Sequence, residues 1–322
     1  MNIVYFLIQQ TMFFSIPLLI VALGGMFSER SGVINIALEG IMITGAFCGI
    51  LFINIVQKTI PGQPVLLMAI AVSALGGMAV SMFHAYASIN LKANQIISGT
   101  AINMFAPAIT TYIARMIRLE GRTGAVQQIP FADQFYIEKV PLLGDIPFIG
   151  QLAFQKTYLT TYLGFIILAV AAFVLYKTRF GIRLRACGEH PQAADSAGIN
   201  VYSMRYAGVL ISGALAGLGG LVFVIPTSTQ FNPEVSGYGF LALAVLIFGQ
   251  WKPQRILFAA FFFGLMKAVS YSYSGIPFME MIQVPSYVYK MVPYIATLVI
   301  LAFSSKLSQA PRAAGIPYDK GR

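Results

Sequence analysis

Long apolar runs recur along nearly the whole chain, and they restrict its fold more than any other feature of the sequence. A helix needs about 20 mostly apolar residues to cross the hydrocarbon core of a bilayer. Only 10% of the residues are charged, against roughly 25% in soluble domains. The sequence therefore predicts an all-α, polytopic membrane protein with about nine or ten membrane helices, short or broken ones included, in a transmembrane domain at 1–306. Nine runs are candidate spans, at residues 3–26, 33–57, 64–90, 95–117, 158–176, 204–226, 237–250, 254–274 and 285–303.

The run at 237–250 is too short to cross a bilayer unaided, so we expect a re-entrant or broken helix there. The stretch SGYGFLALAVLIFG, from Ser236, also echoes the stretch SGVINIALEGIMITG, from Ser31. If successive spans alternate in direction, the stretch from Ser31 runs outward and the stretch from Ser236 runs inward. Similar segments of opposite direction are the pattern of an inverted repeat, and the interface between such repeats usually holds a transport path.

Basic residues are shared unequally between the two sides of the predicted spans. Four of them lie between Lys177 and Arg185, directly after the run 158–176, and a basic cluster at a membrane exit belongs on the cytoplasmic side. With this segment inside, thirteen Lys and Arg residues fall inside and six fall outside, and the N-terminus lies outside. The net charge of +10 thus fits orientation and attraction to anionic membrane lipid. The sequence contains no basic domain that could bind nucleic acid.

Two stretches outside the predicted spans are long enough to form structure of their own. Residues 120–156 form a loop on the outer face, and two interpretations of it remain open: a structureless linker, or a cap that contacts a binding protein. Residues 307–322 form a C-terminal tail. Because the tail contains Pro311, Gly315 and Pro317, we expect it to be a mobile cytoplasmic end.

The longest polar interruption begins at Lys177 and ends near residue 203. Pro191 suits the first turn of a helix, and Gly198 can adopt the left-handed conformation that ends one. We therefore expect a short surface helix at Gln192 to Ser196 and its neighbours. From residue types alone this segment is either a basic loop that only sets topology or a docking element for a soluble partner.

Several polar and aromatic residues lie inside the predicted spans, where polar groups are costly and usually functional. Glu39 comes ten residues after Glu29, about 15 Å along a helix, and Asn35 would lie one turn before it on the same face. This pair could bind a sugar hydroxyl or a base, or Glu39 could be a structural carboxylate that is hydrogen-bonded to a neighbouring helix. Further candidates for the lining of a path, each of which could instead face lipid, are Asn103, Phe105, Phe231 and Tyr238.

Other residues inside or beside the spans favour structural roles. We expect Lys267 to extend toward the outer interface past Tyr271, with a pair between Lys267 and Glu39 as the alternative. We expect His84 to be a hydrogen-bonded core residue. Asn94 and Gln95 are expected to cap the fourth helix. Two interleaved rows of small residues predict close helix packing, namely Ser212, Ala216 and Gly220, and Gly213 and Gly217.

No motif for catalysis or metal binding is found in the sequence. It contains no phosphate-binding Gly-x-x-x-x-Gly-Lys-Ser/Thr loop, no serine elbow and no His-Glu-x-x-His pattern. Cys48 and Cys187 are too few and too far apart to indicate a disulfide framework or a metal site. We therefore predict no catalytic residue, no metal and no cofactor in this chain, which is not expected to be an enzyme.

Three stretches resemble the permease subunits of ABC importers for nucleosides, simple sugars and branched-chain amino acids. In that family, a segment patterned as Gly, Arg-Ala-x-Gly-Glu, Pro, Ala-Ala and Gly-Ile forms a coupling helix that sits in a cleft of the ATPase. The nucleoside branch also carries Glu-Arg-x-Gly-x-x-Asn-Ile-x-x-Glu-Gly, here from Glu29 to Gly40, and a later block that matches Gly237 to Val245. The matching residues of the first pattern are Gly181, Arg185, Ala186, Gly188, Glu189, Pro191, Ala193, Ala194, Gly198 and Ile199.

The resemblance implies a fold like that of type II importer permeases, in a bacterial inner membrane, with residues 177–203 as the coupling segment. It also implies three partners: an ATPase subunit that holds ATP and Mg²⁺, a second and often non-identical permease subunit, and an extracellular or periplasmic substrate-binding lipoprotein. A nucleoside, above all a purine nucleoside, is the expected solute. The alternatives are a permease for riboflavin or a simple sugar and, from another class, an ion-coupled secondary carrier that uses Glu39.

Overall fold

The computed structural model describes residues 3–117, 128–132, 135–141, 144, 146, 150, 154–272, 285–304 and 310–320. In these residues the chain forms eleven helices and four short strands. Seven of the helices are long and apolar enough to cross a membrane. The helices are α1 Ile3–Arg30, α2 Leu38–Val56, α3 Gln63–Ile89, α4 Gln95–Met116, α5 Leu159–Lys177, α6 Arg179–Glu189, α7 Pro191–Ser196, α8 Val201–Thr227, α9 Tyr238–Phe248, α10 Pro253–Ser272 and α11 Ser286–Ser304.

Each predicted span coincides with a helix, and the all-α prediction is confirmed. The short run is helix α9, whose 11 residues extend about 16 Å, too short for a crossing. The predicted span 33–57 begins too early. Residues 31–37 form a turn in which Gly32 has a φ of +98°, so α2 starts only at Leu38.

Helix α8 lies at the centre of the bundle and packs against α1, α2 and α3. The predicted rows of small residues make these contacts. A Cβ atom on Gly217 would lie 2.5 Å from the Ser73 carbonyl oxygen, and one on Gly220 would lie 2.0 Å from that of Met42. Because the neighbouring atoms belong to the backbone, a larger side chain would force the helices apart, and the predicted close packing is confirmed.

Two antiparallel strand pairs lie at one end of the bundle. Strand β1 (Ile129–Pro130) pairs with β4 (Gln230–Phe231), and β2 (Tyr136–Lys139) pairs with β3 (Gln155–Tyr158). The Asn54 side chain, near the end of α2, donates to the Pro130 carbonyl at 2.7 Å. The described part of the predicted outer loop is therefore attached to the helix ends. Residues 120–127, 133–134, 142–143, 145, 147–149 and 151–153 of that loop lie outside the described residues.

The tail is not mobile where the structure describes it, at residues 310–320. The backbone N–H of Ala313 donates to the Gly188 carbonyl at 2.8 Å, and that of Gly315 donates to the Gly32 carbonyl at 3.2 Å. Tyr318 is buried. Ion pairs join Lys92 to Asp319 (2.7 Å) and Asp195 to Lys320 (3.5 Å). The predicted mobility was wrong because contacts from distant elements hold the tail.

The tail lies at the end of the bundle opposite the strand pairs. Three basic residues that were assigned to the inside lie at this end. Lys92 and Arg205 contact the tail, and Arg30 pairs with Glu189, next to the residue that the tail contacts. Gln9, near the start of α1, instead donates to the Gln155 carbonyl at the strand end. The grouping of residues in the predicted topology is therefore reproduced.

Candidate functional site

The predicted surface helix of the coupling segment is present as α7. Pro191 occupies its first turn, and Gly198 follows it with a φ of +79°. The N–H groups of Gly198 and Ile199 donate to the carbonyls of Asp195 and Ala194 at 2.8 and 3.0 Å. This is the left-handed helix end expected from the sequence.

Helix α6, which precedes α7, was missed in the sequence. Thr178 caps it by accepting the Gly181 N–H at 3.2 Å. Its buried positions are Gly181, Leu184, Cys187 and Gly188, spaced three and four residues apart among arginines. That spacing is the amphipathic signal that would have identified the helix.

Two glycines allow α6 to lie against the rest of the bundle. A Cβ atom on Gly181 would be 2.2 Å from the Val174 carbonyl oxygen, and one on Gly188 would be 2.3 Å from the Arg30 carbonyl oxygen. The coupling segment is thereby in contact with the ends of both α5 and α1.

The nine predicted coupling residues differ in what they could contact. Four are buried within the chain, namely Gly181, Gly188, Pro191 and Ala194. Ala193 and Gly198 are exposed, whereas Arg185, Ala186 and Glu189 are partly buried. The exposed side of α7, together with Gly198, is therefore the part that a partner could contact, while the buried residues position it.

A second site forms where the first turns of α2 and α9 meet. Glu39, in the first turn of α2, accepts the N–H of Gly237 at 2.9 Å and that of Gly239 at 2.6 Å. These donors belong to the start of α9, where the helix dipole favours a negative charge. A Cβ atom on Gly239 would lie 2.3 Å from the Glu39 backbone nitrogen. We call this contact the α2–α9 junction.

The α2–α9 junction joins the two stretches that echo each other in the sequence. From it, α2 runs toward Asn54 at the strand end, and α9 runs toward Trp251 at the end that holds the coupling segment. The two helices thus run in opposite directions, as predicted.

The polar candidates for the path are hydrogen-bonded inside the bundle. Asn35 is fully buried; its Nδ2 donates to Ser212 Oγ at 2.9 Å, and its Oδ1 accepts the Ala37 N–H. Asn35 and Glu39 do not share a helix face, because Asn35 lies in the turn before α2. Asn103 bridges α4 to this turn by donating to the Ile36 carbonyl at 2.9 Å and accepting the Gly40 N–H at 2.8 Å. Their binding of solute stays a prediction.

The aromatic candidates are divided between surface and core. Phe105 is exposed on α4 and lines an apolar cavity of about 530 Å³ with residues of α2 and α3. Phe231 and Tyr238 are fully buried. The ring centre of Phe231 lies 6.0 Å from that of Phe47, and the ring centre of Tyr238 lies 4.2 Å from that of Phe223. Neither buried ring is available for stacking with a solute in this conformation.

Lys267 does not extend to the outer interface. It is only 5% exposed, and its Nζ lies 5.3 Å from the ring centre of Tyr238 and 5.1 Å from that of Tyr294. The charge of Glu39 attracts it. The two rings and this carboxylate favour the cation inside the bundle, so the predicted extension to the outer interface is wrong. The alternative, a pair with Glu39, is not formed either: the carboxylate attracts Lys267, but no ion pair within 4.0 Å joins these two described residues. Tyr294, on α11, was not predicted as part of this site.

The predictions for His84 and Asn94 are confirmed, and the prediction for Gln95 is wrong. His84 is fully buried and contacts Ser98 Oγ at 3.1 Å and the Ile34 carbonyl at 2.9 Å. Asn94 caps α4. Gln95 does not cap α4, because its side-chain oxygen accepts the Ile34 N–H at 2.7 Å. In the described residues, His, Cys, Asp and Glu side chains form no group of three that could hold a metal ion.

Comparison with known proteins decides the family. The family described as branched-chain amino acid transport system, permease component, matches residues 7–301. The chain belongs to this permease family. With seven apolar helices of membrane-spanning length among its described residues, this permease is a multi-pass protein of the bacterial cell membrane.

Curated relatives match this permease along almost their whole length. The guanosine ABC transporter permease NupQ of Bacillus subtilis is 42% identical, over 98% of this chain and 97% of the relative. The nucleoside ABC transporter permease NupC of Lactococcus lactis is 38% identical, over 100% and 99%. The putative glucose ABC transporter permease TsgC13 of Haloferax volcanii is 30% identical, over 92% and 91%. No solved structure matches.

Proposed function

We propose that this permease forms the translocation path for nucleosides in an ABC importer, with purine nucleosides as its main solutes. The observation that carries the proposal is the full-length similarity to relatives that are named for guanosine and for nucleosides. The sequence patterns of the nucleoside branch, from Glu29 to Gly40 and from Gly237 to Val245, support the same solute class. Both patterns meet at the α2–α9 junction.

The ATPase is a separate subunit, which docks on the exposed side of α7 and holds the ATP and Mg²⁺. Two features support this role, because a rigid segment transmits displacement: α7 has a defined end at Gly198, and the coupling segment is attached to α1 and α5 through α6 and to the tail. Turning a 1:99 equilibrium of two conformations into 99:1 takes roughly 5.5 kcal/mol of differential binding, so a docked two-state interface is sufficient.

Two further partners complete the proposed importer. A second permease subunit, a non-identical homologue, encloses the path together with this chain. A substrate-binding lipoprotein delivers the solute at the end of the bundle that carries the strand pairs, where the described part of the outer loop offers it a fixed surface.

A simple sugar is the second candidate solute, because one relative is named as a putative glucose permease. That relative is 30% identical, whereas the two nucleoside relatives are 42% and 38% identical, so the nucleoside assignment is favoured.

The test is solute uptake by the importer reconstituted in proteoliposomes from this chain, its ATPase and the second permease, with the binding lipoprotein added on the outer side. We expect ATP-dependent uptake of labelled guanosine that unlabelled adenosine reduces and that glucose and riboflavin leave unchanged. Uptake of glucose with no competition by nucleosides would overturn the nucleoside assignment. Uptake that follows an ion gradient without ATP would overturn the importer class.

A further inference from the structure

The turn between α9 and α10 has an unusual backbone. Gln250 and Trp251 are consecutive residues with left-handed φ angles of 50° and 53°, and neither is a glycine. Such a conformation is unfavourable for residues other than glycine and persists where surrounding contacts impose it. Here Arg255 contacts the Gln250 side chain, and the contacts to Trp251 come from the end of α1.

Glu29 and Arg30, the last two residues of α1, hold this turn. The indole N–H of Trp251 donates to Glu29 Oε2 at 2.6 Å, in a buried position. The Arg30 guanidinium donates to the Trp251 carbonyl through Nη2 at 3.1 Å and Nε at 3.4 Å. One tryptophan is therefore held through both its side chain and its backbone.

The same arginine contacts the coupling segment. Arg30 Nη1 lies 3.5 Å from Oε1 of Glu189, the last residue of α6, which only His190 separates from α7. The Arg30 backbone also touches Gly188. Glu189 is 41% exposed, so the ion pair itself stabilises the fold little. Its importance is geometric, because the planar guanidinium donates in two directions from one rigid group.

Helix α9 then extends from the Arg30 contact to the α2–α9 junction. Its last turn leads into Trp251, and its first turn is held by Glu39 near Lys267 and Tyr238. The two ends of α9 lie about 16 Å apart, because the helix has 11 residues. A short helix that moves as a rigid body carries a displacement at one end to the other. We propose that Arg30 is a positioning residue that transmits displacement of the coupling segment to α9, and that α9 is the element that opens and closes the path at the α2–α9 junction.

This inference rests on the proposed function, and it is tested on the reconstituted importer by the number of solute molecules transported per ATP hydrolysed. We expect Arg30→Ala to lower this ratio by about fivefold or more, the low end of coupling between sites, while ATP hydrolysis continues. Arg30→Lys should fall between wild type and Arg30→Ala, because an ammonium group cannot reproduce the two-directional contact. Arg115→Ala removes an exposed cation at the other end of the bundle and should leave the ratio unchanged.

A second measurement follows α9 directly and does not depend on the solute. Phe240 on α9 is 51% exposed. In Phe240→Cys, the rate of thiol labelling should change when ATP is added, and the change should disappear in Phe240→Cys with Arg30→Ala. Peptide mass spectrometry separates this label from labels on Cys48 and Cys187.

Two results would overturn the inference: a wild-type transport ratio in Arg30→Ala, or an ATP-dependent labelling change at position 240 that survives this substitution. If Arg30→Ala does not assemble, Glu189→Ala serves instead, because it removes the Arg30–Glu189 contact and keeps the Arg30–Trp251 contacts. Full coupling in Glu189→Ala would then refute the inference. A wild-type importer that responds at position 240 but does not transport nucleosides would refute only the proposed solute.

Discussion

Replacing Glu39 tests whether the α2–α9 junction holds the two helices together. Its carboxylate accepts two backbone N–H groups at 2.9 and 2.6 Å, and a hydrogen bond to a charged group contributes about 1.5–3 kcal/mol. Glu39→Ala should therefore destabilise the permease by roughly 3–6 kcal/mol. Glu39→Gln keeps one acceptor oxygen and should lose less, although it also loses the attraction of the helix dipole.

The assay is thermal unfolding in detergent, followed by size-exclusion chromatography at a fixed heating time. At about 2 °C per kcal/mol for a long chain, Glu39→Ala should lower the apparent Tm by roughly 6–12 °C. Glu234→Ala removes an exposed carboxylate three residues before Gly237 and serves as the matched control. If Glu39→Ala melts together with wild type and this control, the carboxylate does not hold α9.

A double substitution separates the charge of Glu39 from its hydrogen bonds. Without this carboxylate, buried Lys267 has lost the negative charge that attracts it, which makes the cation costly. Glu39→Gln combined with Lys267→Met should therefore lose about 0.5–3 kcal/mol less than the two single substitutions added together. Strict additivity would contradict the interaction.

Three further predictions concern other parts of the bundle. Gly217→Val places side-chain atoms against the backbone of α3 and should sharply reduce the yield of folded, monodisperse protein; a normal yield would contradict the packing of α8. Tyr318→Ala should release the tail and speed its cleavage in limited proteolysis, whereas Ile316→Ala, at an exposed position, should not; equal cleavage would argue against a held tail. Burial raises the pKa of the Cys187 thiol, although the charge of Arg205 opposes the shift. Cys187 should therefore react with maleimide far more slowly at neutral pH than a cysteine introduced at an exposed position by Ala193→Cys. Fast labelling of Cys187 would contradict the packing of α6.

Local rules explain what could be predicted from the sequence. Pro191 and Gly198 mark the start and end of α7 through their own backbone preferences, and the run 237–250 is short whatever it contacts. The row of Gly213 and Gly217 lies on one helix face because of its spacing. None of these predictions needs knowledge of a distant residue.

The predictions that failed depend on contacts between distant segments. The span 33–57 was predicted to be helical from residue 33, whereas α2 starts at Leu38. Gly32 was the only local sign of a turn before Asn35, and a glycine is compatible with several conformations. Lys267 stays inside because the rings of Tyr238 and Tyr294 and the charge of Glu39 favour the cation there. These three residues belong to three other helices, so the local sequence around Lys267 does not reveal them. The tail is held by partners on α6, α7 and α8, in the connection between α3 and α4 and in the turn before α2, and its own composition favours disorder.

The proposed function depends most on the docking of a separate ATPase at the exposed side of α7. The most direct test places a photo-crosslinking amino acid at Ala193 in the assembled importer, with matched positions at Glu138 at the strand end and at Phe105 on the exposed face of α4. We predict a crosslink from position 193 to the ATPase polypeptide and none to it from the other two positions. A crosslink to the ATPase from position 138, with none from position 193, would contradict the account.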